Sequence, residues 1–231
     1  MFACAYINFF RCETYIMKHF KSIETARESP KVSIAVTGGI GSGKSVVCEE
    51  LKKLGYPVFS CDQIYRDLTS DCEYLKELAA IFPGTVSKDK VLDRKKLSKI
   101  VFNNPSALKK LNALAHPLVM QKLKEHINSK QGMVFSEVPL LFEGGFEADF
   151  DFRIIVLREY SKRVQWISRR DSVTEKEAIT RIAAQFNYEK YFSAGYQKNE
   201  KEFLIFNDGS IDDLRLKIVD VLKSIFKTMK Q

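Results

Sequence analysis

Long apolar runs are missing from this chain. Although 45% of its 231 residues are hydrophobic, no run approaches the roughly 18 apolar residues that a membrane span requires, so no membrane partner is expected. Cysteine is scarce and unpatterned: Cys4, Cys12, Cys48, Cys61 and Cys72 are odd in number and nowhere form C-x-x-C. That set fits a reducing, cytoplasmic setting and neither a disulfide framework nor a zinc site. The guanine-specificity motif Asn-Lys-x-Asp occurs nowhere, which argues against a GTPase. Internal repeats, low-complexity tracts, zinc fingers and the aromatic–basic pattern of an RNA-recognition module are also missing. The net charge of +8 favours polyanionic partners without choosing among nucleotides, cofactor phosphates, nucleic acid and membrane. Because acidic residues are interspersed among the basic ones, no nucleic-acid partner is expected.

What is present is concentrated at residues 38–45. Gly38-Gly39-Ile40-Gly41-Ser42-Gly43-Lys44-Ser45 is a complete G-x-x-x-x-G-K-[ST] phosphate-binding loop. Its glycines let the backbone curl until successive N–H groups face a phosphate. Lys44 adds a compact cation for the β- and γ-phosphates, and Ser45 offers a hydroxyl to Mg²⁺. The flanks suit the motif: Val32 to Thr37 is a short β-branched strand, and Val46 to Leu54 reads as the following helix. The chain is expected to bind a nucleoside triphosphate.

From residue 32 onward strands and helices alternate, which predicts a parallel sheet covered on both faces. After Gly55, Pro57 to Ser60 makes a second strand; Met133 to Phe135, Phe152 to Leu157 and Phe203 to Phe206 follow as three more, the last closed by the turn Asn207-Asp208-Gly209. Ile211, Leu214, Ile218, Val221, Leu222 and Ile225 recur at helical spacing in a final helix. Two excursions break the rhythm. Residues 62–128 contain only helical runs, such as Leu97 to Phe102 and Leu108 to Leu123, and residues 161–200 are helical and basic, with a Thr174/Glu177 capping box. The reading is an α/β nucleotide-binding core (32–61, 129–160 and 201–231) with a five-stranded parallel sheet, a helical substrate domain (62–128) and a helical lid (161–200). Residues 1–31 read as an N-terminal extension. Met1 to Phe10 is apolar but lacks the basic region and cleavage signal of a secretory peptide. Either the segment is accessory, with Met17 or a later codon as the true start, or it forms a helix packed on the core.

Asp62 is the second chemical clue. Ligands of open parallel sheets sit at the carboxyl ends of strands, and Asp62 follows the second strand as the phosphate loop follows the first. A carboxylate there can take the proton of an attacking hydroxyl. Equally, Asp62 can cap a helix starting at Gln63.

In order along residues 32 to 225, Val36 to Ser45, Asp62, Leu92-Asp93-Arg94, Val101-Phe102, His116-Pro117, Pro139-Leu140-Leu141-Phe142-Glu143, Arg181, Gln185 and Asn207 before a glycine turn together resemble the dephospho-CoA kinase family. The resemblance implies a P-loop kinase core with a helical substrate domain and lid. It also implies ATP- and Mg²⁺-dependent phosphorylation of the ribose 3′-hydroxyl of dephospho-coenzyme A, the last step of coenzyme A synthesis, by a monomer or small homo-oligomer. Gly39, Gly41, Ser42, Gly43, Lys44, Ser45, Val46 and Asn207 would hold ATP, with Ser45 also on the metal. Lys44, Arg170 and Arg181 would act on the transferring phosphoryl group, and Asp62 would be the general base. Asp62, Arg94 and His116 would face the substrate. On the residues alone, His116 also reads as a helix-interior histidine satisfied by a carbonyl, and Arg94 as a solvated member of a charged face with Lys95, Lys96 and Lys99.

The chain departs from the family pattern in three places. Val46 stands where Thr is usual, Glu137 where Asp is common, and Arg163 and Trp166 where Gln and Arg are usual. Arg158, Arg163 and Arg169 are further arginines available to the lid. The competing readings are a P-loop kinase for a nucleoside monophosphate or other small metabolite, and a nucleotide-gated nucleic-acid binder that uses the positive charge.

Overall fold

A computed structural model describes residues 30–102, 104–193 and 199–230. The expectation for residues 1–31 therefore falls almost wholly outside the described residues. The chain divides into two compact units: one runs to Val58 and resumes at Lys130, and the other is Phe59–Ser129.

In the first unit, β1 (Val32–Thr37) leads through the phosphate loop into α1 (Lys44–Lys53), and β2 (Val58–Ser60) follows at the unit boundary. After the second unit come β3 (Met133–Glu137), a 3₁₀ turn (Glu147–Asp149) and β4 (Phe152–Leu157). Helices α6 (Tyr160–Asp171), α7 (Glu175–Ala183) and α8 (Tyr188–Tyr191) come next, then β5 (Glu202–Phe206) and α9 (Ile211–Thr228). The strands form one parallel sheet in the order β2-β3-β1-β4-β5. β1 is central, with Ile34 opposite Phe135 on one side and Phe152 on the other. The β-branched run of β1 is buried on both faces, as a doubly covered parallel sheet demands.

One face of the sheet is sealed by α1 and α9. Val47 and Leu51 of α1 join Leu214, Ile218, Leu222 and Ile225 of α9 over Ile34, Val36, Ile154 and Val156. Each such aliphatic side chain contributes about 1.5–3 kcal/mol on leaving water, which fixes α1, and with it the end of the phosphate loop. An aromatic group of Phe142, Phe186, Tyr188 and Tyr191 packs ring to ring elsewhere in this unit, with Phe142 and Phe186 stacked at 4.7 Å. The expected capping box is present at α7: Thr174 accepts from the Glu177 N–H, and Glu177 accepts from the Thr174 N–H.

The second unit is helical: α2 (Cys61–Leu68), α3 (Cys72–Ile81), α4 (Arg94–Phe102) and α5 (Pro105–Asn128). Val86 and Leu92 add a single antiparallel bridge. Asn104 caps α5 by accepting from the Ala107 N–H, with Pro105 in the first helical position. The helix outruns the expected Leu108 to Leu123 segment and passes through Pro117. An interior proline costs about 3 kcal/mol and one backbone hydrogen bond. Burial of Val119, Met120, Leu123 and Ile127 beyond it offsets that cost.

Among the described residues no helix is long and apolar enough to cross a membrane.

Candidate active site

The phosphate loop begins where β1 ends. Thr37 is buried, and its hydroxyl lies 3.2 Å from that of Tyr188. Gly43 is left-handed, with φ 97°, and a Cβ there would strike the Asn207 amide, so no other residue fits without displacing Asn207. From Gly43 the chain enters α1 at Lys44, two residues earlier than the sequence reading, without any side-chain cap. No side chain therefore competes with an anion at the start of α1, whose positive dipole end faces the loop. Asn207, after β5, donates from Nδ2 to the Ser42 carbonyl at 2.9 Å and ties the loop to the end of the sheet. Lys44 folds back over the loop, donating to the Gly38 carbonyl at 2.7 Å and the Gly39 carbonyl at 3.1 Å.

Ser45 donates from Oγ to Glu137 Oε1 at 2.9 Å. A hydroxyl and a carboxylate side by side at the loop make an oxygen-only donor pair, which suits a hard divalent cation such as Mg²⁺. The longer side chain at position 137 still reaches Ser45. Val46 presents its side chain to solvent and its N–H to the Gly43 carbonyl.

Side chains from residues 158–189 surround the outer limb of the loop. Arg163, 3% exposed, donates from Nε to the Ile40 carbonyl at 3.0 Å and pairs through its guanidinium with Glu189. Gln185 Oε1 accepts the Ile40 N–H at 2.6 Å. Arg158 reaches the Gly41 carbonyl at 3.5 Å and lies 5.7 Å from the centre of the half-exposed Trp166 ring. Ile40 itself packs against the cluster of Val164, Ile167, Ala178 and Ile182. Tyr188 is buried at the start of the loop, and burial pushes its phenol up to about 12, which keeps it neutral at physiological pH.

Arg170 and Arg181 are brought together by Asp171. Arg170 binds that carboxylate with both Nε and a terminal nitrogen, at 2.7 and 3.0 Å, and Arg181 adds a contact at 2.6 Å. The Arg170 hydrogen bonds chiefly hold the Asp171 carboxyl below its usual range. Sequence reasoning missed Asp171, Glu189 and Tyr188, and knew Gln185 only through the family pattern. Arg163 was read only as one of several arginines available to the lid; its spacing of four from Ile167 is the signal that could have placed it on a buried helix face.

The remaining predicted residues belong to the second unit. Asp62 is exposed in the first turn of α2 and makes no hydrogen bond or ion pair among the described residues. That helix starts at Cys61 after Ser60, so Asp62 does not cap a helix beginning at Gln63. Arg94 opens α4, is exposed beside Lys95 and Lys96, and donates to the Thr69 hydroxyl at 2.9 Å.

His116 is half-buried in α5, and burial lowers its pKa below the ordinary 6.5. The folded chain therefore resists a proton that the unfolded chain accepts, and the stability present above pH 6.5 is lost as pH falls through the depressed value. His116→Asn is expected to flatten the melting temperature between about pH 7.5 and about pH 5. An unaltered acid slope would show that other groups set it.

A short buried strand, a glycine loop closed by Asn207, a helix started without a cap, and a hydroxyl–carboxylate pair are the parts of a nucleoside triphosphate site, and comparison with known proteins agrees. The family model described as dephospho-CoA kinase matches residues 32–213. The dephospho-CoA kinase of Geobacillus kaustophilus is 34% identical over 198 residues, covering 83% of this chain and 96% of the relative. That of Thermus thermophilus is 33% identical, covering 84% and 92%. A solved protein from Thermus thermophilus superposes with a TM-score of 0.71 at 33% identity, covering 84% of this chain and 98% of its own. The solved dephospho-CoA kinase of Campylobacter jejuni gives 0.54 at 28% identity, covering 84% and 96%. With this span of sequence and fold matched, the chain belongs to the dephospho-CoA kinase family.

Proposed function

We propose that the protein transfers the γ-phosphoryl group of ATP to the ribose 3′-hydroxyl of dephospho-coenzyme A, giving coenzyme A and ADP. The observation that carries this reading is the complete phosphate loop, with its Ser45–Glu137 pair and Asn207 tether, in a member of this kinase family. Gly39, Gly41, Ser42, Gly43, Lys44, Ser45, Val46 and Asn207 hold the triphosphate, and Lys44 supplies positive charge as phosphorus–oxygen bonds are exchanged. Ser45 and Glu137 would hold Mg²⁺, which when bound neutralises charge on the phosphate oxygens. A bond forms between the ribose oxygen and the γ-phosphorus as the bond to the ADP oxygen breaks. Asp62 takes the hydroxyl proton.

Arg94 and His116 serve the substrate, residues 62–128 form the substrate domain, and residues 161–200 form the lid. We read the protein as cytoplasmic, with no nucleic-acid partner and as a monomer or small homo-oligomer. Cys48, Cys61 and Cys72 form no disulfide among the described residues, in keeping with that compartment.

Arg170 and Arg181 answer charge that spreads over three oxygens only during transfer. Arg170→Ala and Arg181→Ala are each expected to lower kcat by about a hundredfold and to change the KM for ATP much less. A rise in KM with unchanged kcat would assign them to ground-state binding.

Coupled ADP release with dephospho-CoA, AMP, GMP and shikimate tests the whole reading. Turnover should be far faster with dephospho-CoA. A comparable rate with any of the others would make this a kinase of different specificity. No turnover, with salt-sensitive binding of DNA or RNA, would favour a nucleic-acid binder.

A further inference from the structure

We propose that Arg163 is a positioning residue for ATP, acting from behind the phosphate loop by fixing the peptide unit between Ile40 and Gly41. The proposal rests on the loop's role in holding the triphosphate. Arg163 Nε draws the Ile40 carbonyl toward α6 at 3.0 Å. In a planar trans peptide the C=O and the following N–H point in opposite directions. Holding the Ile40 oxygen against Arg163 therefore turns the Gly41 N–H away from α6, toward the inside of the loop. The preceding peptide is held too, because Gln185 Oε1 accepts the Ile40 N–H at 2.6 Å.

The guanidinium lies close enough to Gly39 that a Cβ there would collide with it. Only a residue without a side chain at 39 permits this approach. Arg163 is buried in an ion pair with Glu189, whose own side chain is half-exposed. Removal of either partner is destabilising, but only removal of Arg163 frees the Ile40 carbonyl. A strut that merely ties α6 to α8 and a device that presets the loop make different demands on the two residues, and this separates them.

Four variants are compared by ADP affinity, by KM for each substrate and by melting temperature. Arg163→Met is expected to weaken ADP binding and raise the KM for ATP by about tenfold or more, the usual effect of losing a hydrogen bond from a charged donor. Its KM for dephospho-CoA should stay within about threefold of wild type. Glu189→Gln should lower the melting temperature but leave ADP affinity within about threefold, because Arg163 still donates to Ile40. Arg163→Lys keeps a charge opposite Glu189 but loses the branched donor, and it should weaken ADP binding by a smaller factor. It serves as the test if Arg163→Met does not fold.

Wild-type ADP affinity in the Arg163 variants overturns the proposal, as does an equal loss of affinity in Glu189→Gln. Lys44→Ala serves as the control: if it too leaves ADP affinity unchanged, the phosphate-loop reading itself fails. If only the Lys44 variant weakens binding, the loop reading stands and the Arg163 proposal falls.

Discussion

Lys44→Ala is expected to lower kcat/KM by about a thousandfold, the upper range for loss of one preorganised donor at a developing charge, with little change in melting temperature. The lysine is the only cation of the loop's own sequence, and its Nζ already lies against the Gly38 and Gly39 carbonyls. A unit charge about 4 Å from a phosphate oxygen interacts by about 4 kcal/mol at the effective dielectric of a protein surface, the same order as the loss in barrier terms. The fold should tolerate the change, since alanine is a good helix former at the start of α1. Steady-state ADP release and a thermal melt on one preparation decide the matter. Activity within about threefold of wild type would reduce the loop to a structural turn.

Asp62→Asn should fold normally, keep its affinity for ATP and lose at least about two orders of magnitude in kcat. A ribose hydroxyl is a weak nucleophile, and a positioned base is worth roughly 10² to 10⁴ in rate, about 3–5 kcal/mol of barrier. Asn preserves size but offers no basic oxygen. The structure makes this a clean substitution. The Asp62 side chain is exposed and satisfies no hydrogen bond among the described residues, and α2 starts ahead of it at Cys61. The remaining structural cost is the loss of a negative charge near a helix N-terminus, about 0.3–1 kcal/mol. Turnover within about threefold of wild type would remove the base assignment and leave positioning as the main source of catalysis.

Local chemistry was legible in the sequence wherever it was confined to a few neighbouring residues. β1 and β4 were readable to the residue because their apolar, β-branched runs stop abruptly, at Lys31 and Gly38 for β1 and at Asp151 and Arg158 for β4. The phosphate loop announced itself through glycine and lysine spacing, and the α7 capping box through Thr174 and Glu177. Helix ends were less legible. Ser60 as the residue before α2, and the continuation of α5 through Pro117, depend on burial that propensity does not encode. Side-chain partnerships across the chain were illegible. Glu137 was visible as an unusual residue, but nothing local pairs it with Ser45, 92 positions away. The same holds for Arg163, visible as one of several arginines available to the lid, whose acceptor, the Ile40 carbonyl, lies 123 positions earlier.

The grip on the phosphate loop sets a timetable for the nascent chain. Residues 38–45 leave the ribosome early, but the groups that hold them arrive late: Gln185 follows Ile40 by 145 positions, Tyr188 follows Thr37 by 151, and Asn207 follows Ser42 by 165. At roughly 5–20 residues per second of synthesis, the loop waits on the order of ten to thirty seconds for its last tether. Contacts of such sequence separation also close slowly, because the chain entropy of a long loop must be given up first. Fragments released before Asn207 would carry the whole glycine motif and still lack the residues that shape it. Nucleotide affinity is thus expected to arise late, once synthesis has passed β5.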